Sequence, residues 1–289
     1  MRKQLDFDRF IIFDGAMGTM LQAEGLKAGV LPESYNFTHP DIVMAIHRKY
    51  IAAGADVITT NTFGANHYKL AGSGLAVKDV VAQAVKLARS AAGEKFFALD
   101  IGPTGKLMKP HGELSFEDAY KAFSEQIQAG EAAGADLVLI ETMSDIYEAK
   151  AAILAAKENS QLPVICTMTF QQDGRTLTGT DVLTMVNILQ SLGVDALGAN
   201  CSLGPKEMMR LVEELVRYSK VPVIIQPNAG LPKIQSGKTY YEADAREFSQ
   251  YAKLMAEKGV TIIGGCCGTT PEHIRSIRDA LKDLAPVKR

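Results

Sequence analysis

One local pattern, present in four copies, constrains the fold of this chain more than any other feature. In each copy a helix-like segment ends at a glycine, two residues follow, and an apolar stretch then leads to a polar or thiol side chain seven positions after the glycine. The glycines suit the left-handed position that closes a helix. The apolar stretches are typical of parallel strands that are covered on both faces. The four glycine and strand-end pairs are Gly54 and Asn61, Gly134 and Glu141, Gly193 and Asn200, and Gly259 and Cys266.

Further strands and helices complete a regular alternation. Four more apolar segments read as strands, at residues 10–13, 96–99, 164–169 and 221–226. Helix-like segments lie at residues 40–53, 76–93, 115–133, 146–159, 181–192, 205–219, 243–258 and 271–284. Eight strands, each followed by a helix, in a chain of 289 residues predict an α/β fold, the (β/α)8 TIM barrel. We find no linker, so we expect a single domain over residues 1–289. A doubly wound sheet is the alternative, but its G-x-G-x-x-G turn is missing from the sequence.

Composition narrows the possible partners. Hydrophobic residues make up 47% of the chain, enough for a packed core. The net charge is -2, with basic and acidic residues mixed along the chain, so we expect no nucleic-acid partner. The chain has no apolar run of membrane-spanning length, and its first residues lack the apolar core of a signal peptide. We therefore expect no membrane partner and a cytoplasmic location.

Three of the four cysteines fall at predicted strand ends, where the loops of such a barrel converge on one mouth. Cys201 follows the sixth strand, and Cys266 with Cys267 follows the eighth, on a turn into a helix that Thr270 would cap. Adjacent side chains of a strand point to opposite faces, so the cysteine pair can share one target only if the backbone bends there, which the flanking glycines permit. Cys166 lies within the fifth strand and is expected to be ordinary core.

Three converging thiolates make a plausible zinc site. Three protein ligands with one open position are typical of a catalytic zinc, and soft sulfur ligands without histidine favour Zn²⁺ over magnesium or iron. We expect one Zn²⁺ per chain, on Cys201, Cys266 and Cys267. The alternative is that these are small buried residues without a metal, which is the better interpretation of Cys201 alone and the poorer one of the vicinal pair. A zinc with three thiolates suits a thiol substrate that binds as a nucleophilic thiolate, which indicates transfer of an electrophilic carbon to sulfur.

Other strand-end residues are candidates for substrate binding. Asp14 and Glu141 could hold a substrate ammonium, and the alternative is that each caps the helix after it. Gly15 opens a turn whose backbone N–H groups could bind a substrate carboxylate, although a tight turn alone would explain the glycine. Asn228 is a candidate neutral group near the metal, where it could be a displaceable fourth ligand, and the alternative is that it only orders its loop.

These loop sequences resemble one family over nearly the whole chain. The motifs are Asp14-Gly-Ala-Met-Gly-Thr19, Thr60-Asn-Thr-Phe-Gly-Ala65, Asp100-Ile-Gly-Pro-Thr-Gly105, Glu141-Thr-Met-Ser-Asp145, Thr178-Gly-Thr-Asp181, Asn200-Cys-Ser-Leu-Gly-Pro205, Gln226-Pro-Asn-Ala-Gly230 and Gly264-Gly-Cys-Cys-Gly-Thr-Thr-Pro271. Together they resemble the homocysteine S-methyltransferase family, and within it the N-terminal homocysteine-binding barrel of cobalamin-dependent methionine synthases.

The resemblance implies a zinc-dependent methyltransferase of methionine biosynthesis. It implies zinc on the three cysteines, homocysteine bound through its sulfur, and Asp14 and Glu141 against the amino acid head. Attack of the Zn-bound thiolate on a methyl group would then give methionine. The implied donor is methylcobalamin on a corrinoid protein or on corrinoid and folate domains, because the chain has no Asp-x-His-x-x-Gly segment to bind cobalamin itself. The alternatives are a relative that uses betaine or S-methylmethionine, and a non-catalytic thiol-binding or zinc-binding module that presents the thiol to a partner enzyme.

Overall fold

A closed parallel barrel forms the centre of the protein. The structure is a computed structural model that describes residues 4–235 and 238–287. Its strands are β1 (Ile11–Ile12), β2 (Val57–Thr59), β3 (Phe96–Ile101), β4 (Leu137–Met143), β5 (Val164–Met168), β6 (Ala196–Asn200), β7 (Val223–Gln226), β8 (Lys233–Gln235), β9 (Lys238–Tyr240) and β10 (Ile262–Ile263). All but β8 and β9 form one parallel sheet, in the order β1-β10-β7-β6-β5-β4-β3-β2. A parallel bridge between Phe13 and Val57 joins its two outer strands and closes the barrel.

Side chains that point inward fill the barrel. They form a separate cluster of buried residues: Ile11, Phe13, Val57, Ala98, Leu137, Leu139, Ile165, Ala196, Ile224 and Ile262. A second, larger cluster joins the outer faces of the strands to the surrounding helices. The barrel interior is thus a packed core, which leaves the chemistry to the loops at the carboxyl ends of the strands.

Helices alternate with the barrel strands. They are α1 (Gly18–Ala23), α2 (Tyr35–Thr38), α3 (Pro40–Ala53), α4 (His67–Leu70), α5 (Val77–Ala92), α6 (Phe116–Ala133), α7 (Ile146–Asn159), α8 (Val182–Ser191), α9 (Pro205–Tyr218), α10 (Ala245–Lys258) and α11 (Pro271–Leu281), with a short 3-10 turn at Pro32–Ser34. Helices α3, α6 and α10 each end at a glycine in the left-handed conformation, as the repeated pattern predicts. Thr270 caps α11, with Pro271 at its first position.

The predicted (β/α)8 barrel is confirmed, strand by strand and helix by helix. The short helices α1, α2 and α4 and the antiparallel β8–β9 hairpin were not predicted, because each lies inside a loop and is too short to show a hydrophobic period. Among the described residues, none of the helices combines the length and the apolar character needed to cross a membrane. That the entire chain forms one domain stays a prediction.

Candidate active site

Three thiols meet at the mouth of the barrel. The Sγ atoms of Cys201, Cys266 and Cys267 all lie within 4.8 Å of one another, and all three residues are half-buried. Cys166 is fully buried inside β5, as expected of a core cysteine. All four cysteines are free. A close set of three sulfur donors with no fourth cysteine beside it fits a zinc ion that keeps one coordination position open.

The cysteine pair lies on a turn that leaves β10 and is tied to the loop after β7. The N–H of Cys266 donates to the carbonyl of Pro227 at 2.7 Å, and the carbonyl of Cys267 accepts from the N–H of Ala229 at 2.9 Å. Gly268 follows with φ at 80°. The backbone therefore leaves the extended geometry at this point, which is the condition for two adjacent thiols to face one target.

Cys201 reaches the same place from β6 with a different backbone. Cys201 and Ser202 both adopt left-handed φ angles, 59° and 58°, which residues other than glycine rarely adopt. The N–H of Cys201 donates to the carbonyl of Gln226 at 3.0 Å. Such strained residues concentrate at functional sites, where the surrounding structure holds them.

Hydrogen bonds among the three thiols decide which of them ionises most readily. Hydrogen bonds from Cys201 and Cys266 lower the pKa of Cys267 to about 3. Hydrogen bonding with Cys201 and Cys267, together with burial, raises the pKa of Cys266 well above its ordinary value. One thiolate, on Cys267, is therefore favoured within the cluster, and this is the form in which sulfur binds metal.

A cavity of about 330 Å³ adjoins the thiols. Its walls include the three cysteines, the predicted substrate-binding residues Asp14, Gly15 and Glu141, and one further carboxylate, that of Asp100. Carboxylates and sulfurs thus line the same cavity. The cavity is in the size range of small-molecule sites.

Neither predicted carboxylate caps a helix, so the capping alternative is wrong for both. Met17 occupies the N-cap position of α1, and Asp145 caps α7 through its own side chain. The carboxylate of Asp14 instead accepts from the N–H of Thr59 in the neighbouring strand β2, at 2.8 Å. The carboxylate of Glu141 accepts from the side-chain amide of Asn200 at 3.2 Å.

The carboxylates lie where a positive charge is favoured. Burial raises the pKa of Asp14 well above its ordinary value, against the N–H of Thr59, which lowers it, and Glu141 raises it further. Burial and then the charge of Cys267 raise the pKa of Glu141 to about 7. A bound cation would relieve this repulsion.

Gly15 is needed for close packing. A Cβ on Gly15 would lie 2.6 Å from Oγ1 of Thr269 and 2.9 Å from the hydroxyl of Tyr50. The next N–H, that of Ala16, already donates to Thr269 Oγ1 at 3.1 Å. The turn therefore packs against the cysteine turn, and packing alone accounts for the glycine.

Asn228 is the second residue of the loop after β7 and is not among the residues that line the cavity. It is buried, its N–H donates to the carbonyl of Leu203 at 3.0 Å, and its carbonyl accepts from Gly230 at 2.7 Å. Its side-chain oxygen is buried without a hydrogen-bond partner among the described residues. Its backbone contacts agree with a role in ordering the loop, and its predicted role beside the metal stays a prediction.

Sequence reasoning did not assign several polar residues of the cavity wall. Asp100 is the penultimate residue of β3, and one of its carboxylate oxygens is buried without a partner among the described residues. Glu33 and Lys69 come from loops, where no strand-end pattern marks them. Asp100 follows a predicted strand as Asp14 and Glu141 do, so the sequence places it at the barrel mouth, and only its role was left unassigned.

Comparison with known proteins places the chain among sulfur methyltransferases. The sequence model of one protein family, homocysteine S-methyltransferase, matches residues 11–281. A methionine synthase from Mycobacterium tuberculosis is 33% identical over 97% of this chain and 25% of its own length. A methionine synthase from Mycobacterium leprae is 34% identical over 94% of this chain and 24% of its own length. The chain thus spans about a quarter of the length of these relatives.

Solved structures share the fold. The homocysteine methyltransferase MmuM from Escherichia coli, in its metallated form, superposes with a TM-score of 0.81 at 24% identity. The alignment covers 93% of this chain and 96% of the other. The oxidized form of the same protein gives the same TM-score. At this identity the likeness supports the barrel fold.

Proposed function

The chain belongs to the homocysteine S-methyltransferase family, and from this premise we propose that it is an enzyme that transfers a methyl group to the sulfur of homocysteine, giving methionine. One observation carries the proposal. Three thiols that suit a metal and two carboxylates that suit an ammonium line the same cavity. An amino acid with a thiol side chain has the matching pair of groups.

Cys201, Cys266 and Cys267 would hold one Zn²⁺. When bound, zinc with three thiolate ligands keeps a position for a fourth sulfur and lowers the pKa of a thiol placed there, so that the thiol is nucleophilic near neutral pH. The protein's own contribution is to hold the three sulfurs together on two separate turns. Because both turns are fixed by backbone hydrogen bonds, little rearrangement is needed on binding.

Asp14 and Glu141 would bind the substrate ammonium. The carboxylate of Asp14 is held by the N–H of Thr59, and that of Glu141 by the amide of Asn200. Burial raises the pKa of both carboxyl groups, so a bound ammonium favours their ionised forms. Holding the amino acid head fixes the direction from which the sulfur meets the methyl group. Gly15 lines the same cavity, and the turn that it opens would present backbone N–H groups to the substrate carboxylate.

The methyl donor is the finer part of the proposal. We propose methylcobalamin carried by a corrinoid protein or domain, because the similar mycobacterial proteins are methionine synthases about four times as long as the matched region. MmuM favours the alternative of a small donor, betaine or S-methylmethionine, since nearly all of that methyltransferase chain aligns with this one barrel. A cytoplasmic location is part of the proposal, because reduced thiols persist there.

An assay of the chain with homocysteine and each of the three donors tests the proposal. We expect zinc to copurify and at least one donor to give methionine. Calorimetry in several buffers should show release of about one proton per site when homocysteine binds near neutral pH. Turnover with any donor excludes a module that only presents the thiol. Absence of zinc and of proton release would overturn the proposed mechanism.

A further inference from the structure

One buried amide connects the two halves of the site. Asn200 ends β6 next to Cys201, and it is fully buried. Its Oδ1 accepts from the N–H of Thr142 at 2.9 Å and from the hydroxyl of Thr167 at 2.8 Å. Its Nδ2 lies 2.8 Å from Oγ1 of Thr142, 3.2 Å from Oε2 of Glu141 and 3.9 Å from Sγ of Cys266.

The orientation of this amide follows from its partners. A backbone N–H only donates, so the atom that faces the N–H of Thr142 must be the oxygen of Asn200. The nitrogen then faces Glu141 and Cys266. The two hydrogens of the NH₂ group are shared among three acceptors, Oγ1 of Thr142, the carboxylate of Glu141 and the sulfur of Cys266, and the last two carry negative charge when they act.

The two ends of the amide serve different tasks. The oxygen joins β6 to β4 and β5, which is a structural role. It also holds Thr142, whose φ of 62° is left-handed and which directly follows Glu141. The nitrogen contacts the carboxylate of Glu141 on one side and the sulfur of Cys266 on the other, so a single group restrains the distance between them.

We propose that Asn200 is a positioning residue that sets the separation between the ammonium-binding carboxylate Glu141 and the metal-binding sulfur of Cys266. This inference rests on the proposed function and deepens it. A fixed separation selects the length of the substrate: a thiol and an ammonium must lie as far apart as they do in homocysteine. Cysteine carries the same charged groups on a chain one methylene shorter, and it would fit less well.

Two variants test this role. Asn200→Asp keeps an oxygen for Thr142 and Thr167, but its carboxyl offers at most one donor hydrogen and so cannot serve both Glu141 and Cys266. Asn200→Ala removes the whole group without adding charge. Thr167→Val is the matched control, because it removes one buried hydrogen bond to the oxygen of Asn200 and leaves the nitrogen side intact.

Two readouts are measured on each protein. The first is zinc affinity in competition with a chelator, and we expect both Asn200 variants to be weaker by about tenfold or more, as for groups that orient metal ligands. The second is the ratio of binding affinities for homocysteine and cysteine on the zinc-loaded protein, and we expect it to fall by about tenfold. Added charge affects both amino acids alike, so this ratio reports geometry. Thr167→Val should unfold at a lower temperature and keep both values within about twofold.

The result that overturns the inference is equally specific. If a folded Asn200 variant loses stability as Thr167→Val does but keeps zinc affinity and the homocysteine preference, Asn200 is structural only. A change in only one of the two values would also contradict a linking role. A wild-type chain that fails to retain zinc or to prefer homocysteine would instead refute the proposed function.

Discussion

The two turns that bring thiols to the barrel mouth differ in how their backbones bend. After β10, the chain uses Gly264, Gly265 and Gly268 around the cysteine pair, and the left-handed residue is a glycine. After β6, Cys201 and Ser202 take left-handed φ angles although neither is glycine. A residue with a Cβ in that conformation costs about 1–3 kcal/mol.

The difference follows from what each turn must approach. A Cβ on Gly265 would lie 2.4 Å from Oγ1 of Thr269, and one on Gly264 would lie 2.7 Å from Cβ of Phe13. At β6 the side chains themselves are needed, since Cys201 supplies a sulfur and Ser202 shares a 2.6 Å hydrogen bond with Thr169. Strain is thus accepted where a side chain acts, and glycine occurs where the backbone must come close to a neighbour.

Removing a thiol from either turn should have the largest effect. We expect Cys201→Ala and Cys267→Ala each to weaken zinc retention by at least about a hundredfold, because two thiolates remain of the three that would hold the ion. The barrel should stay folded, with a thermal midpoint within about 4 °C of the wild type, since both residues lie at the mouth. Zinc content after dialysis against a chelator and circular dichroism measure the two effects.

Cys166→Ala is the matched control, because that thiol lies inside β5 and should leave zinc content unchanged. If Cys201→Ala retains zinc while Cys267→Ala loses it, the turn after β6 is dispensable and the two turns are not equivalent partners. Loss of the fold in either variant would indicate a structural metal instead.

Gly268→Ala adds a methyl group to the turn after β10 and tests whether glycine is needed there because the backbone comes close to a neighbour. In Gly268→Ala the new Cβ would meet Cδ2 of Tyr241 at 2.3 Å, on a residue whose φ is 80°. We expect a loss of about 2–4 kcal/mol in the free energy of unfolding, from the left-handed φ and the overpacking together. Urea denaturation measures it.

Gly179→Ala separates these two causes. Gly179 has φ at 89°, but nothing lies within 4 Å of its added Cβ. This variant should cost only the conformational term, about 1 kcal/mol. Equal losses in the two variants would show that contact with Tyr241 contributes nothing.

The sequence was sufficient to predict the barrel for a physical reason. Each repeat joins a left-handed glycine, an apolar strand and a polar strand end, so three independent signals agree at positions such as Gly134 to Glu141. The carboxyl ends of the strands in such a barrel converge on one mouth, and this alone predicts that Cys201 lies near Cys266.

The finer parts of the site were beyond the sequence because they depend on long-range contacts. The contacts of Asn200 with Thr142 and Thr167 join it to two other strands, and no spacing in the sequence predicts such contacts. The antiparallel pair β8–β9 has only three residues in each strand, too few to show a regular alternation of apolar side chains. For Asn228, the sequence placed the residue in the correct loop, but only the backbone path decides whether its amide faces the cavity.

Tyr50→Phe tests how much one side-chain hydroxyl stabilises the turn after β10. The buried hydroxyl of Tyr50 lies 2.9 Å from the carbonyl oxygen of Ala16 and 3.2 Å from that of Thr269, and its single hydrogen is shared between them, so it joins the loop after β1 to the cysteine turn. Its loss should lower the free energy of unfolding by about 1–2 kcal/mol. Tyr218→Phe, on the half-buried last residue of α9, should change it by less than about 0.5 kcal/mol. If Tyr50→Phe leaves the free energy of unfolding unchanged, the backbone contacts alone hold this turn.

The smallest effect should come from relieving strain in the turn after β6. Ser202→Gly removes a Cβ at φ 58° but also the hydrogen bond to Thr169, two opposite effects of about 1 kcal/mol each. The net change in unfolding free energy should therefore lie within about 1 kcal/mol of zero. Ser202→Ala loses the same hydrogen bond and keeps the strain, so it should be less stable than Ser202→Gly by about 1 kcal/mol, the conformational cost itself. If the alanine variant is the more stable of the two in urea denaturation, the left-handed conformation of Ser202 carries no strain. The contrast between the two turns would then come down to the close approach of the glycine backbone alone.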